Sequence, residues 1–198
     1  KNDGSYDVLI PGSGGKDSGL QAHLLKYKYG MNPLTVTWSP HLYTDIGLQN
    51  FNNWIHIGGF DNFLYTPNGR LHRLLTKLAF KNLLHPFQPF IIGQKQIGPL
   101  MASKFGIKFI MYGETGTEAG NKKDEAKRGT MHQKYYSQDL NKLDLNLGGV
   151  KIRDIINDYG FKLGDFKSYI PMPPSGYNNI DVHYLSYYPK RDPQEAYY

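Results

Sequence analysis

Cysteine is absent from all 198 residues. Disulfides, a thiolate nucleophile and cysteine-ligated zinc are therefore excluded from this stretch of chain. Long apolar runs are missing too. No segment approaches the roughly 20 residues a helix needs to cross a bilayer, and no basic-then-apolar leader opens the chain. Acidic residues are in the minority, 17 against 23 Lys and Arg, which leaves a formal charge of +6. That balance suits an anionic ligand such as ATP, a nucleotide-linked sugar or RNA, without choosing among them. No two of the seven histidines have the spacing of a zinc site. The length is right for one sizeable core, so a single α/β domain over 1–198 is expected.

What is present is concentrated near the start. The stretch YDVLIPGSGGKDS, Tyr6 to Ser18, is a short apolar strand that runs into glycines and then into a helical pattern. Gly14 and Gly15 let the main chain bend tightly and approach a ligand closely. The helix that follows offers unpaired N–H groups and the positive end of its dipole. Strand, glycine turn and helix start together make an anion site, and phosphate is its commonest occupant. Lys16 adds a mobile positive charge, Ser13 and Ser18 add hydroxyls, and Asp17 adds a carboxylate. Because that carboxylate would repel bare phosphate, a Mg²⁺ ion is expected to arrive with the nucleotide.

Two other phosphate motifs fail on spelling. A Walker loop needs Ser or Thr after Gly15-Lys16 and a Gly five positions before Gly15, but Asp17 and Ile10 stand there. A dinucleotide fingerprint starting at Gly12 and Gly14 needs Gly or Ala where Asp17 sits.

Further along, strands alternate with helices. Strands are predicted at 6–10, 34–38, 62–65, 107–112 and 182–187, and helices at about 18–29, 46–56, 70–84, 97–105 and 150–159. The second helix shows Leu48, Phe51 and Ile55 on one stripe, and the third shows Leu71, Leu74, Leu75 and Leu78. Pro86–Pro89 reads as a turn, and Pro171–Gly176 as a linker. This alternation predicts a parallel sheet sandwiched between helices, a three-layer α/β fold. Residues 114–148 are polar and aperiodic, with Lys122, Lys123, Lys127 and Arg128 among Asp124 and Glu125. They read either as a solvated excursion or as a flexible flap over an acidic substrate.

Ligands of open α/β sheets sit beyond the carboxyl ends of the strands. The candidate site is therefore Ser13, Gly14, Gly15, Lys16, Asp17 and Ser18 after the first strand, and Val36, Thr37 and Trp38 at the end of the second. Gly113 and Glu114 join them after the fourth. Val36–Trp38 would wall an adenine, Gly113 would let a nucleotide approach, and Glu114 would join Asp17 in holding Mg²⁺. Lys16, Asp17 and Glu114 are the catalytic candidates. His41 and His85 are weak rim candidates. His56 and His72 are read as surface or boundary residues.

Ser13–Ser18 resembles the pyrophosphate loop of the PP-loop ATPases. Tyr43–Asn50 (YTDIGLQN), Gly58–Asn62 (GGFDN), His85-Pro86-Phe87 and Gly113-Glu114-Thr115 narrow the resemblance to the N-acetyl sugar amidotransferases of bacterial surface-polysaccharide synthesis. The similarity runs in order over nearly the whole chain. It implies the PP-loop ATPase (adenine nucleotide alpha hydrolase-like) form of the sandwich, with ATP and Mg²⁺ as cofactors and AMP plus pyrophosphate as products. An acetamido group on a nucleotide-linked sugar would become an acetamidino group through an adenylated intermediate. A separate glutaminase would supply the ammonia, since no Cys is present to hydrolyse glutamine.

A cytoplasmic location without membrane attachment is expected, and a homo-oligomer is left open. Nucleic acid is not an expected partner, because no RNA-binding module is legible. Family members carry a cysteine-rich, zinc-binding segment before the loop and are longer. This chain starts at Lys1 and shows no such segment, which is expected either of a trimmed chain or of a shortened relative. Two alternatives stand beside this reading: a PP-loop enzyme that thiolates or amidates tRNA, and a module that holds ATP without chemistry.

Overall fold

The computed structural model describes residues 3–114, 128–139, 141–173, 175 and 179–188. The first strand, β1 (Val8–Pro11), leads into α1 (Lys16–His23), which continues as a π turn over Leu24–Lys28. There follow β2 (Pro33–Trp38), α2 (Asp45–His56), β3 (Asp61–Tyr65), α3 (Gly69–Leu83), α4 (Gln88–Phe105) and β4 (Phe109–Tyr112). A two-stranded ribbon, β5 (Asn146–Leu147) and β6 (Val150–Lys151), precedes α5 (Ile152–Tyr159), and β7 spans Asp181–Tyr184.

The main sheet has the order β3-β2-β1-β4-β7, and every neighbouring pair in it is parallel. Strand period two sorts the side chains into two cores. Val8 and Ile10 face Ala22, Leu25, Phe51 and Trp54 of the α1/α2 layer. Leu9, Val36, Trp38 and Ile110 face Leu71, Leu75, Ile97 and Met101 of the α3/α4 layer, which α5 extends with Ile152 and Ile155. Both faces of β1 are thus covered, so its residues read as an unbroken apolar run. The expected three-layer α/β sandwich is what forms.

The order of the sheet decides where a ligand can go. From β1 the chain winds outward through β2 to β3, then returns past β1 to β4 on the other side. Adjacent connections leave β1 and β4 in opposite directions, and the crevice between their carboxyl ends is the switch point.

Several sequence expectations need correction. Helix α4 begins at Gln88, not near Ile97: Pro89 occupies its first turn, where an N–H is dispensable. Pro99 lies inside α4, where it cannot donate to the Lys95 carbonyl. On α2 the buried stripe is Phe51 and Trp54, with Ile55 partly covered, while Leu48 is exposed. His72 is buried, 6% exposed, on the same face of α3 as Leu75 and Ala79. Of the 114–148 flap, residues 115–127 and 140 lie outside the described residues, Lys122–Lys127 with them. Its later part is anchored to the core at Met131, Tyr136 and Leu147, and the Met131 N–H donates to the Val182 carbonyl at 2.8 Å, while residues 132–134 and 141–144 between these anchors are exposed.

Candidate functional site: a cavity at the switch point

Beyond the carboxyl ends of β1, β2 and β4 lies a cavity of about 630 Å³, a size that suits a nucleotide-sized ligand. Ser13, Gly15, Lys16, Asp17 and Ser18 line it from one side, Val36 and Trp38 from another, and Glu114 from the end of β4. Sequence reasoning thus picked residues from three separate segments that the fold brings to one space.

The loop is held from below. The Gly12 N–H donates to the Val36 carbonyl at 2.9 Å. The Thr37 hydroxyl donates to the Gly12 carbonyl at 2.7 Å and accepts from the Asn62 amide at 3.0 Å. A Cβ on Gly12 would stand 2.4 Å from the Ser18 Cβ, so only glycine lets the loop fold back on the start of α1. Gly14 takes a positive φ of 79° and lies against the α2 backbone, where a Cβ would meet the Asn50 carbonyl oxygen at 2.9 Å. Helix α1 starts at Lys16 after Gly15, which gives it no side-chain cap, as is also the case for α4 and α5, whereas Thr44 caps α2 and Asn68 caps α3. The first turn of α1 therefore offers donors and dipole to a ligand instead of to its own side chains.

Three expected site residues do other work. Thr37 points to the α1/α2 face, buried, and pins the loop instead of walling the cavity. Gly14 supplies the turn and does not line the cavity. Gly113 is buried against α1, where a Cβ would come within 3.0 Å of the Asp17 carbonyl carbon and of Gln21 Oε1. Its smallness lets α1 seat on β4, and Gly113 is not among the residues that line the cavity.

The wall at Trp38 is closely packed. Its ring stacks on Tyr65 at 5.3 Å and is edged by Tyr169 at 5.6 Å and His72 at 6.0 Å. A Cβ on Gly93 would lie 2.3 Å from Trp38 Cζ2, so α4 passes directly over the indole. Behind it, His72 Nδ1 and the Tyr169 hydroxyl share a 2.7 Å hydrogen bond. Burial, then the neighbouring His41, pushes the His72 pKa down to about 4, and burial raises that of Tyr169. Both are neutral at pH 7. His41 stacks on His72 at 4.7 Å, at the exposed end of this cluster. His85 is exposed and does not line the cavity.

The sequence reading missed α4's contribution. Gln94, Lys95 and Ile97 line the cavity, as do Tyr112 and Met131. Lys95 is half-buried, its pKa lowered by desolvation, and its ammonium stands 5.5 Å from the centre of the Tyr135 ring. The available signal was position: α4 leads straight into the strand that carries Glu114.

Among the described residues, no group of three or more His, Asp and Glu could hold a metal by itself. Asp17 and Glu114 line the same cavity, and Mg²⁺ at nucleotide sites uses one or two carboxylates with phosphate oxygens and water. The donor set therefore fits Mg²⁺ carried in with a nucleotide, not a resident protein-only metal. No helix among the described residues is long and apolar enough to cross a membrane.

No family model and no curated protein matches the chain. Among solved structures, an NH3-dependent NAD synthetase from Campylobacter jejuni aligns over 59% of this chain and 51% of its own, at 14% identity and a TM-score of 0.45. A predicted subunit of tRNA methyltransferase from Methanocaldococcus jannaschii aligns over 56% of this chain and 54% of its own, at 22% identity and a TM-score of 0.39. The chain spans about half the length of these two structures.

Proposed function

We propose that this chain is a PP-loop ATP pyrophosphatase that adenylates an acceptor, and that it works as an N-acetyl sugar amidotransferase. The observation that carries the reading is the uncapped start of α1 at the switch point. There Lys16 and Asp17 of a Ser-Gly-Gly-Lys-Asp-Ser loop share a cavity with Glu114. The pyrophosphate end of ATP would lie on the first turn of α1, and its adenine along Val36 and Trp38. Asp17 and Glu114 would hold Mg²⁺, which when bound neutralises phosphate charge.

The chemistry follows from charge. The acetamido oxygen of a nucleotide-linked sugar attacks the α-phosphorus, the bond from that phosphorus to the bridging oxygen breaks, and pyrophosphate leaves. Lys16 and the α1 amides stabilise charge gathering on the departing pyrophosphate, as preorganised donors do. Ammonia from a separate glutaminase then adds to the imidate carbon. AMP departs with the former amide oxygen, leaving an amidine. The enzyme would act in the cytoplasm, where ATP and nucleotide sugars are made.

Product analysis tests this. With Mg-ATP, ammonium and UDP-N-acetylglucosamine or related acetamido nucleotide sugars, the protein should form AMP, pyrophosphate and a sugar in which NH replaces the amide oxygen. AMP formation only on addition of tRNA would favour the tRNA-modifying reading, to which the +6 charge also lends itself. ATP binding without AMP under any of these conditions would leave a nucleotide-binding module.

A further inference from the structure

We propose that Lys95 is a second phosphate-binding cation of the cavity, set in the helical layer opposite α1 to take a phosphoryl oxygen of the bound nucleotide or of a nucleotide-linked acceptor. The inference rests on reading the cavity as a nucleotide site, and it adds a group outside the Ser13–Ser18 loop. The path of α4 places it. Gly93 lies on Trp38 of β2, and Gly98 would bring a Cβ within 3.1 Å of Pro11 Cγ on β1 and 3.0 Å of the Tyr112 hydroxyl on β4. Lys95 sits between these two close approaches and lines the cavity together with Gln94 and Ile97. The helix therefore crosses from the adenine wall to the Glu114 side, and Lys95 stands on that crossing.

Charge makes the second argument. Removing an ammonium from water is costly unless an anion or several acceptors replace the lost hydration. Lys95 is half-buried, and desolvation is the sole cause of its lowered pKa. Among the described residues it pairs with no carboxylate, and its ammonium stands over the Tyr135 ring, 5.5 Å from the centre. A lysine that merely covers apolar surface with its stem keeps the ammonium in water. Here Lys95 lines a cavity that also collects Lys16 and the start of α1, so a ligand held there would supply the counter-charge. A phosphoryl oxygen is the group that matches.

The test compares Lys95→Met with wild type in two measurements. One is calorimetric affinity for Mg-ATP and, separately, for UDP-N-acetylglucosamine. The other is the urea midpoint of the ligand-free protein. Loss of a charge-assisted hydrogen bond weakens the affected ligand by about tenfold or more. The ligand that loses affinity identifies whose phosphate Lys95 meets. The ligand-free midpoint should hold or rise, because the desolvation cost is gone, and Lys95→Arg should keep most of the affinity. Affinities within about twofold of wild type for both ligands would overturn the inference, as would a loss of affinity matched by a lowered midpoint. A wild-type protein that binds Mg-ATP but never forms AMP defeats the proposed reaction and leaves the role of Lys95 standing. Binding of neither ligand defeats both.

Discussion

Replacing Gly93 by alanine separates helix propensity from the geometry of the proposed adenine wall. By propensity alone the change should stabilise α4 by about 1 kcal/mol, because glycine is the poorer helix former. The structure predicts the opposite sign. The new Cβ would stand 2.3, 2.4 and 2.7 Å from three carbons of the Trp38 ring, where about 3.5–4.0 Å is a comfortable contact. The indole is 4% exposed and is hemmed by Tyr65, His72 and Tyr169, so it cannot slide away cheaply. Overpacking of this kind costs about 1–3 kcal/mol. For a chain of this length each kcal/mol moves the unfolding temperature by about 2–4 °C. Calorimetric melting should therefore show a lower Tm, and fluorescence should report a displaced tryptophan. Mg-ATP affinity should fall as well, since Trp38 lines the cavity. A raised Tm with unchanged affinity would refute both the packing argument and the adenine wall.

Other substitutions probe other parts of the account. Asp17→Asn should lower turnover by about a hundredfold or more while the Tm stays near wild type; retained turnover would remove the Mg²⁺ role. Thr37→Val strips the hydroxyl that joins Gly12 to Asn62, so it should cost about 1–3 kcal/mol in urea unfolding and weaken Mg-ATP binding. Wild-type values for both would show that the loop is not pinned there. His72 supplies a pH signature: its pKa falls from 6.5 to about 4 on folding, so the unfolded chain binds more protons in that window. Its contribution to stability is complete above pH 6.5 and is lost as pH falls toward 4, by up to about 3 kcal/mol. Urea midpoints at pH 7 and pH 4.5 should differ more in wild type than in His72→Leu, and equal differences would contradict the buried neutral imidazole.

The parts of the fold written in local pattern were legible. The apolar run at Val8–Ile10, the glycine turn after it and the β-branched run in β2 each declare themselves within a few residues. The cavity's loop, Val36, Trp38 and Glu114 followed from one rule, that ligands gather at the carboxyl ends of parallel strands. What failed depended on partners distant in sequence. Pro86–Pro89 read as a turn and the helix was expected only from about 97, yet α4 runs on from Gln88, and Gly93 and Gly98 are where it touches Trp38, Pro11 and Tyr112. Losing the first half of α4 also hid Lys95. Thr37 and Trp38 are adjacent in sequence but face opposite sides of the sheet, and a reading by segment cannot separate them. His72 was recoverable, since it shares a helical face with Leu75 and Ala79, but an imidazole on that face needs Tyr169, nearly a hundred positions away.

The central claim is that the Ser13–Ser18 loop grips the pyrophosphate end of ATP so that the bond between the α- and β-phosphates is the one that breaks. Phosphorus-31 NMR of Mg-ATP turned over by this protein, with ammonium and an acetamido nucleotide sugar, tests it directly. The account predicts growing resonances of AMP and pyrophosphate in equal amounts, absent with Asp17→Asn. ADP and inorganic phosphate as the products would contradict it.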